Sequence, residues 1–129
     1  MKGNYAAIFE PKDDNVCVSF PDLPGCVTSG KDVNDAYDMA VDAANLWMTS
    51  VVEDQHEQAP EATPVEQLKY SEGSWTMLIQ VDTEDYLRRT DTKAVRRTVS
   101  IPSWMDKIAR KKGISLSKLL QDALISQIA

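Results

Sequence analysis

The sequence predicts an α+β fold in two parts: an N-terminal βββαβ domain and a C-terminal strand–helix–helix module. In the first part, short β-prone apolar runs surround one long helical pattern. In the second part, a single period-2 run precedes two helical patterns, and the charge changes from acidic to basic. These observations place the predicted domains at residues 1–87 and 88–129.

The first domain is predicted to begin with a β-hairpin followed by a third strand. Residues 5–11 form a mostly apolar run that ends at Pro11, and residues 16–20 alternate, with Val16, Val18 and Phe20 on one face. The polar residues 12–15 between them have turn chemistry. Pro21–Gly25 contains two prolines and a glycine, which end the second strand. Residues 26–30 are short and β-prone, and are predicted as the third strand.

A long helix is predicted next, with Asp32 as its N-cap and Asp35 three positions later. Its apolar residues recur at helical spacing, which predicts packing on the sheet. Residues 53–67 then read as a polar linker, 75–82 as a strand and 83–89 as a capped helical turn. The predicted inner face of the helix comprises Val33, Ala36, Tyr37, Ala40, Val41, Ala44, Trp47, Met48, Val51 and Val52, and the outer face comprises Asp35, Asp38, Asp42 and Asn45.

The C-terminal module centres on the run from Arg96 to Pro102. Val99 and Ile101 share one face of this period-2 segment, while Arg96, Thr98 and Ser100 share the other. A lone strand leaves unpaired N–H and C=O groups, so we predict that it pairs with the same strand of a second chain. The resulting two-stranded antiparallel ribbon fits the major groove of DNA, which gives the hypothesis that its polar face reads bases.

Two helices are predicted after the ribbon strand. Ser103 would cap a helix over residues 104–112 with Met105, Ile108 and Ala109 inward, and Gly113 is typical of a helix C-terminus. Ser115 would cap a second helix over residues 116–128, whose first turn could hold a phosphate. The predicted phosphate contacts are Ser115, Ser117 and Lys118, and the predicted dimer core is Val99, Ile101, Leu119, Leu120 and Leu124.

The net charge of −6 hides an asymmetry between the two parts. Residues 1–87 hold 4 Lys/Arg against 17 Asp/Glu, whereas residues 88–129 hold 10 against 3. The basic part suits a phosphate backbone and the acidic part suits a basic protein. For the acidic part alone, solubility is the alternative explanation.

Several classes of function are disfavoured. No apolar run is long enough to span a bilayer, and no signal peptide opens the sequence, so we expect a cytoplasmic protein without membrane partners. Cys17 and Cys26 have no second pair and are predicted to be thiols in or near the core. The single histidine, His56, lies in the polar linker, so no catalytic triad can be built, and no metal or cofactor is expected.

The segment FPDLPGCVTSG at residues 20–30, with the helix that follows, resembles the signature of HicB-type antitoxins. Residues 96–128 resemble the ribbon-helix-helix DNA-binding module attached to one branch of that family. The resemblance implies a truncated ribonuclease-H-like first domain without nuclease activity. That domain would bind and cover HicA, a small basic toxin that cleaves mRNA, and the second module would dimerise on the operator of its own operon.

The resemblance also assigns residues. Arg96, Thr98 and Ser100 would contact bases, although Arg97 stands where that pattern usually has an apolar residue. Apart from what the resemblance assigns, we expect toxin contacts along the turn at Pro21, Asp22, Leu23, Pro24 and Gly25 and at the acidic residues nearby. A homodimer is expected, with a tetramer left open. The alternatives are a ligand-sensing repressor with no toxin partner and, less favoured because the carboxylates do not converge, an enzyme such as a nuclease.

Overall fold

The computed structural model describes residues 1–128 and divides the chain into two compact units, residues 1–93 and 94–129. The boundary predicted after residue 87 falls inside a helix that continues to Thr90, so the first unit ends a few residues later than expected.

Unit 1 contains a four-stranded antiparallel sheet with the order β3-β2-β1-β4. Its strands are β1 (Lys2–Pro11), β2 (Val16–Ser19), β3 (Val27–Gly30) and β4 (Trp75–Asp82). The predicted hairpin is confirmed: its turn is closed by the Lys12 N–H, which donates to the Asn15 carbonyl at 2.7 Å. The longest pairing joins β1 to β4, from Lys2 opposite Asp82 to Phe9 opposite Trp75.

Helix α1 (Val33–Thr49) connects the two edge strands, β3 and β4, and packs on one face of the sheet. Its start follows the predicted capping pattern, since Asp32 Oδ1 accepts from the Asp35 N–H at 2.8 Å. The Asp35 carboxylate in turn accepts from the Lys31 N–H at 2.9 Å. Gly30 is required just before this cap, because a Cβ there would lie 2.2 Å from the backbone nitrogen of Ala36.

The core of unit 1 lies between α1 and the sheet. Many core residues alternate along their strands, because successive side chains of a strand lie on opposite faces of the sheet. Phe9 stacks on Trp75 with ring centroids 5.8 Å apart. The largest fully buried side chains are Phe9, Val18, Leu23, Met48, Ile79, Val81 and Thr83.

The predicted faces of α1 need correction at their margins. Val33 and Tyr37 were predicted to face inward but are exposed. Asn45 was assigned to the outer face, yet it is only 4% exposed because it lies against β4. Its side-chain amide finds partners there, accepting from the Asp82 N–H at 2.9 Å and donating to the Gln80 carbonyl at 3.3 Å.

The linker contains little regular structure. The helix continues for one π-type turn over Ser50–Asp54, so the first two residues of the predicted linker, 53–67, are helical, and a short 3₁₀ turn covers Val65–Gln67. After β4, helix α2 (Thr83–Thr90) is capped by Asp82, whose carboxylate accepts from the Asp85 N–H at 3.1 Å.

Unit 2 contains the two predicted helices, α3 (Ser103–Lys111) and α4 (Leu116–Ile128). Gly113 has φ +67°, and a Schellman motif ends α3 through the bonds Gly113 N–H to Arg110 O and Ile114 N–H to Ala109 O. The prediction that Ser103 caps α3 is wrong: Pro102 occupies the N-cap, and no side chain caps the helix. Within residues 1–128, no helix has the length and apolar character needed to cross a bilayer.

Candidate interaction sites

The turn Pro21–Gly25 joins β2 to β3 and is closed by its own backbone. The Leu23 N–H donates to Phe20 O at 3.1 Å, and the Cys26 N–H donates to Leu23 O at 3.0 Å. Gly25 has φ +79°, a conformation that glycine adopts without strain. Leu23 is fully buried, so it anchors the turn from inside and offers no surface to a partner, contrary to its predicted contact role.

Two further contacts hold this turn from outside. The Asp22 carboxylate accepts from the backbone N–H and the hydroxyl of Thr63, at 2.8 and 2.6 Å. The indole N–H of Trp47 donates to the Pro24 carbonyl at 3.0 Å. The turn is therefore a fixed surface whose exposed members are Pro21, Pro24 and Gly25.

The tyrosine beside this turn has a perturbed titration. The Tyr5 hydroxyl donates to the Pro60 carbonyl at 2.6 Å, which pins a second point of the linker. Burial, and then the negative charge of Asp22, raise the pKa of Tyr5 above its ordinary value. Both effects keep the phenol protonated, so it acts as a hydrogen-bond donor to the linker.

The acidic side chains of unit 1 are dispersed. Among the described residues, 1–128, no three His, Cys, Asp or Glu side chains are placed to hold a metal ion together. Asp38 and Asp42 lie exposed on α1, and the Tyr86 hydroxyl approaches Asp42 Oδ1 at 3.5 Å. Burial, and then Asp42, raise the pKa of Tyr86. This arrangement gives a negative surface rather than a converging set of carboxylates.

The predicted base-reading segment has no regular secondary structure in the single chain. Residues 91–102 belong to no helix or strand, and Arg96, Thr98 and Ser100 are exposed. Val99 is 62% exposed. Pairing of residues 96–101 with the same segment of a second chain therefore stays a prediction.

The two helices of unit 2 leave most of their apolar side chains in solvent. Ala109 is the one buried side chain within residues 94–128. Met105 and Ile108, predicted to face inward, are both exposed. The exposed apolar residues are Val95, Val99, Ile101, Trp104, Met105, Ile108, Ile114, Leu116, Leu119, Leu120, Leu124, Ile125 and Ile128.

The start of α4 is organised as the sequence predicts. Ser115 Oγ accepts from the Lys118 N–H at 3.3 Å, and the Leu119 N–H donates to the Ser115 carbonyl at 3.1 Å. Ser117 and the Lys118 side chain are exposed beside the helix start. An anion could therefore approach the first turn, where helix N–H groups point outward.

Comparisons with known proteins place the chain in one family. The profile of HicB-like antitoxins of bacterial toxin–antitoxin systems matches residues 5–124. An uncharacterized 14.9 kDa protein of Haemophilus phage HP1 is 33% identical over 63 residues, which are 49% of this chain and 47% of that protein. The chain thus spans about half the length of this curated relative.

Solved structures show the same fold. One is a toxin–antitoxin complex from Streptococcus pneumoniae, with TM-score 0.63, 22% identity, and 98% and 99% of the two chains covered. Another is the antitoxin HicB of Burkholderia pseudomallei, with TM-score 0.54, 23% identity, and 99% and 96% covered. HicB antitoxins are a family of non-enzymatic regulators. With the profile match covering most of its length, the chain belongs to the HicB-like antitoxin family of bacterial toxin–antitoxin systems.

Proposed function

We propose that this antitoxin acts through two surfaces. Unit 1 binds and occludes a small basic mRNA-cleaving toxin of the HicA type. Unit 2 dimerises as a ribbon-helix-helix module and represses the operon by binding its operator. The division into an acidic toxin-binding part and a basic DNA-binding part follows the charge asymmetry of the sequence.

The observation that supports dimerisation is that the apolar side chains of unit 2 are not buried in a hydrophobic core of its own. Residues 94–129 are too few to bury a sufficient core alone, since domains below about 40 residues usually need oligomerisation or cross-links. Leu119, Leu120 and Leu124 lie on one stripe of α4 and are exposed in the single chain. A second copy would bury these stripes, and each fully buried side chain of this kind stabilises by roughly 1.5–3 kcal/mol.

Pairing of residues 96–101 between two copies would complete this assembly. Val99 and Ile101 would then face the helices, and Arg96, Thr98 and Ser100 would form the outward row in the major groove. Lys118, Ser117 and the start of α4 behind Ser115 would contact phosphates and fix the register of the ribbon.

The test of the DNA-binding surface is Arg96→Ala in the full chain. Loss of a guanidinium that pairs with guanine should cost about 1–3 kcal/mol and relax specificity. Fluorescence anisotropy with operator DNA across a salt series measures this. Lys118→Ala is the matched variant, and it should weaken binding to all sequences alike and reduce the salt dependence. Unchanged affinity of Arg96→Ala at every salt concentration would remove this residue from the base contacts.

The toxin-binding role is tested by the gene neighbourhood and by co-purification. We expect a short reading frame for a basic protein beside the gene of this chain. Its product should co-purify with the full chain and lose its RNA-cleaving activity in the complex. The exposed residues of the turn, Pro21, Pro24 and Gly25, are proposed contacts, with Asp22 and Leu23 holding them in place.

The alternative function is a repressor that senses a small ligand and has no toxin partner. It would show a ligand-dependent change in operator affinity in the absence of any second protein. Failure of the neighbouring basic protein to bind, combined with such a change, would favour it.

A further inference from the structure

The outer edge of β4 forms one side of the unit 1 sheet and is eight residues long. The sheet ends at β3 on one side and at β4 on the other; β3 has four residues and β4 has eight. Edge strands present unpaired backbone N–H and C=O groups, and proteins protect them with short strands, prolines, lysines or covering elements. The short β3 follows this practice, whereas β4 needs another form of protection.

Half of the β4 edge is protected by one side chain. Asn45 of α1 accepts from the Asp82 N–H at 2.9 Å and donates to the Gln80 carbonyl at 3.3 Å. Its amide thus pairs with the edge as a neighbouring strand would. Backbone groups alternate in direction along an antiparallel strand. These bonds therefore also show that the N–H and C=O groups of the even-numbered residues of β4 point away from β1.

The other half of the edge has no such cover. Thr76 and Leu78 share the outward direction of Gln80 and Asp82, and their N–H and C=O groups make no hydrogen bond with any other residue in the range 1–128. Leu78 is 56% exposed, and no proline or lysine interrupts residues 75–82. Four backbone groups and an apolar side chain therefore line an open template.

The net charge of unit 1 favours a basic protein as the partner for this free strand edge. Residues 1–93 hold 18 Asp/Glu against 7 Lys/Arg, so two copies of unit 1 repel each other and a basic protein is attracted. We propose that the β4 edge at residues 75–79 accepts an exposed strand of a basic protein partner by β-strand addition. This rests on the proposed function, in which that partner is the toxin, and it specifies the backbone surface that the toxin would use.

Proline substitution isolates the backbone contribution. Leu78→Pro removes an N–H that points away from β1, so the β1–β4 ladder keeps its bonds, as prolines on edge strands allow. Leu78→Ala removes the side chain and keeps the N–H. Ser29→Pro is the matched control on the opposite edge of the sheet. The strand registers direct the backbone N–H of Ser29 away from β2, so this substitution also removes an N–H that makes no bond within the sheet.

The experiment measures binding of the basic protein encoded beside the gene to the full chain and to these variants by calorimetry. We expect wild-type binding, a loss of about tenfold or more for Leu78→Pro, and changes of less than about threefold for Leu78→Ala and Ser29→Pro. In hydrogen exchange, the amides of Thr76 and Leu78 should exchange fast in the free chain and become protected in the complex. The Asp82 amide should be slow in both.

Each other outcome overturns the proposal. Equal effects of Leu78→Pro and Leu78→Ala would indicate a side-chain contact without strand pairing. A change in the mass of the free chain on Leu78→Pro would indicate that a second copy occupies the edge. If thermal melting shows that Leu78→Pro is unfolded, hydrogen exchange of the wild-type complex decides. Absence of protection at the amides of Thr76 and Leu78 would then reject strand addition.

The inference and the proposed function fail in different ways. Lack of wild-type binding overturns both of them, whereas binding that is unaffected by Leu78→Pro overturns the inference alone.

Discussion

Units 1 and 2 of the same chain differ in whether they bury their own apolar side chains. In unit 1, Phe9, Met48 and Ile79 are fully buried between α1 and the sheet. In unit 2, Leu119 and Ile125 are each more than half exposed. An amphipathic pattern is present in both units, so the pattern alone does not say whether its partner surface lies in the same chain.

The physical reason for the difference is the number of packing layers each unit owns. Unit 1 has a sheet and a helix, which form two layers around a core. Unit 2 has two short helices and a segment without a strand partner, and therefore only one layer. We expect unit 1 to be stable as a monomer and unit 2 to depend on a second copy.

The largest expected effect tests this dependence. Leu120→Asp should abolish dimerisation, unfold unit 2 and remove operator binding, because a charge cannot be buried in the proposed dimer core without a partner. Ile125→Asp is the matched control, since residue 125 lies about 100° or more around the helix axis from each of Leu119, Leu120 and Leu124. Light scattering and thermal melting measure both effects.

The melting of the wild type sharpens the same comparison. The transition of unit 2 should move to higher temperature with protein concentration, by mass action worth about 1.4 kcal/mol per tenfold, while the transition of unit 1 should not move. A Leu120→Asp chain that remains dimeric, or a unit 1 transition that shifts with concentration, would contradict the assignment of roles.

The next largest effect concerns the turn between β2 and β3. Leu23→Ala should destabilise unit 1 by about 2–5 kcal/mol, since it empties a fully buried site. Pro24→Ala, at an exposed position, should change stability little and weaken toxin binding. Denaturant melts and calorimetry separate the two. A Leu23→Ala chain with wild-type stability would show that this side chain is not a core residue.

A smaller effect is expected where the linker is tied to the turn. Thr63→Val removes the hydroxyl that donates to Asp22 Oδ1 and should destabilise by about 0.5–1.5 kcal/mol. Cleavage of residues 55–74 by a protease should become faster, because this contact holds the linker. Thr28→Val, on β3, is a control of the same chemistry outside the linker. Equal cleavage rates for wild type and Thr63→Val would show that the bond does not restrain the segment.

The smallest expected effect concerns the order in which the thiols of Cys17 and Cys26 react. Cys26 is buried, and burial raises the pKa of its thiol, whereas Cys17 is partly exposed. A thiol reagent at pH 8 should therefore modify Cys17 first and reach Cys26 only after local opening. The pKa of Cys26 is higher in the folded chain than in the unfolded chain. The buried neutral thiol therefore contributes to the free energy of unfolding below the ordinary thiol pKa, and this contribution is lost as the pH rises above it. Mass spectrometry of timed samples gives the order, and simultaneous labelling would contradict it.

Local chemistry was sufficient for most elements. The hairpin around residues 12–15, the Asp32–Asp35 cap, the glycine at Gly113 and the cap at Ser115 were all predicted, because each depends on residues a few positions apart. One failure is also local: the cap at Ser103 is wrong by one residue, because Pro102 takes the preceding position. The other failures, such as the faces assigned to Asn45 and Leu23, lie where packing between distant segments decides.

The sequence by itself determined most of the secondary structure of unit 1, the two helices of unit 2, the charge division and the membership in an antitoxin family, because periodicity, capping residues and the FPDLPGC motif are local. Only the tertiary structure decided that Asn45 is buried, that Leu23 is an anchor and that Thr63 is bonded to Asp22. In these cases the environment of a side chain depends on a segment tens of residues away, which no local pattern encodes. The contact of Asn45 with Gln80 and Asp82 is another such case, since it joins α1 to a strand that lies 35 residues or more further along the chain.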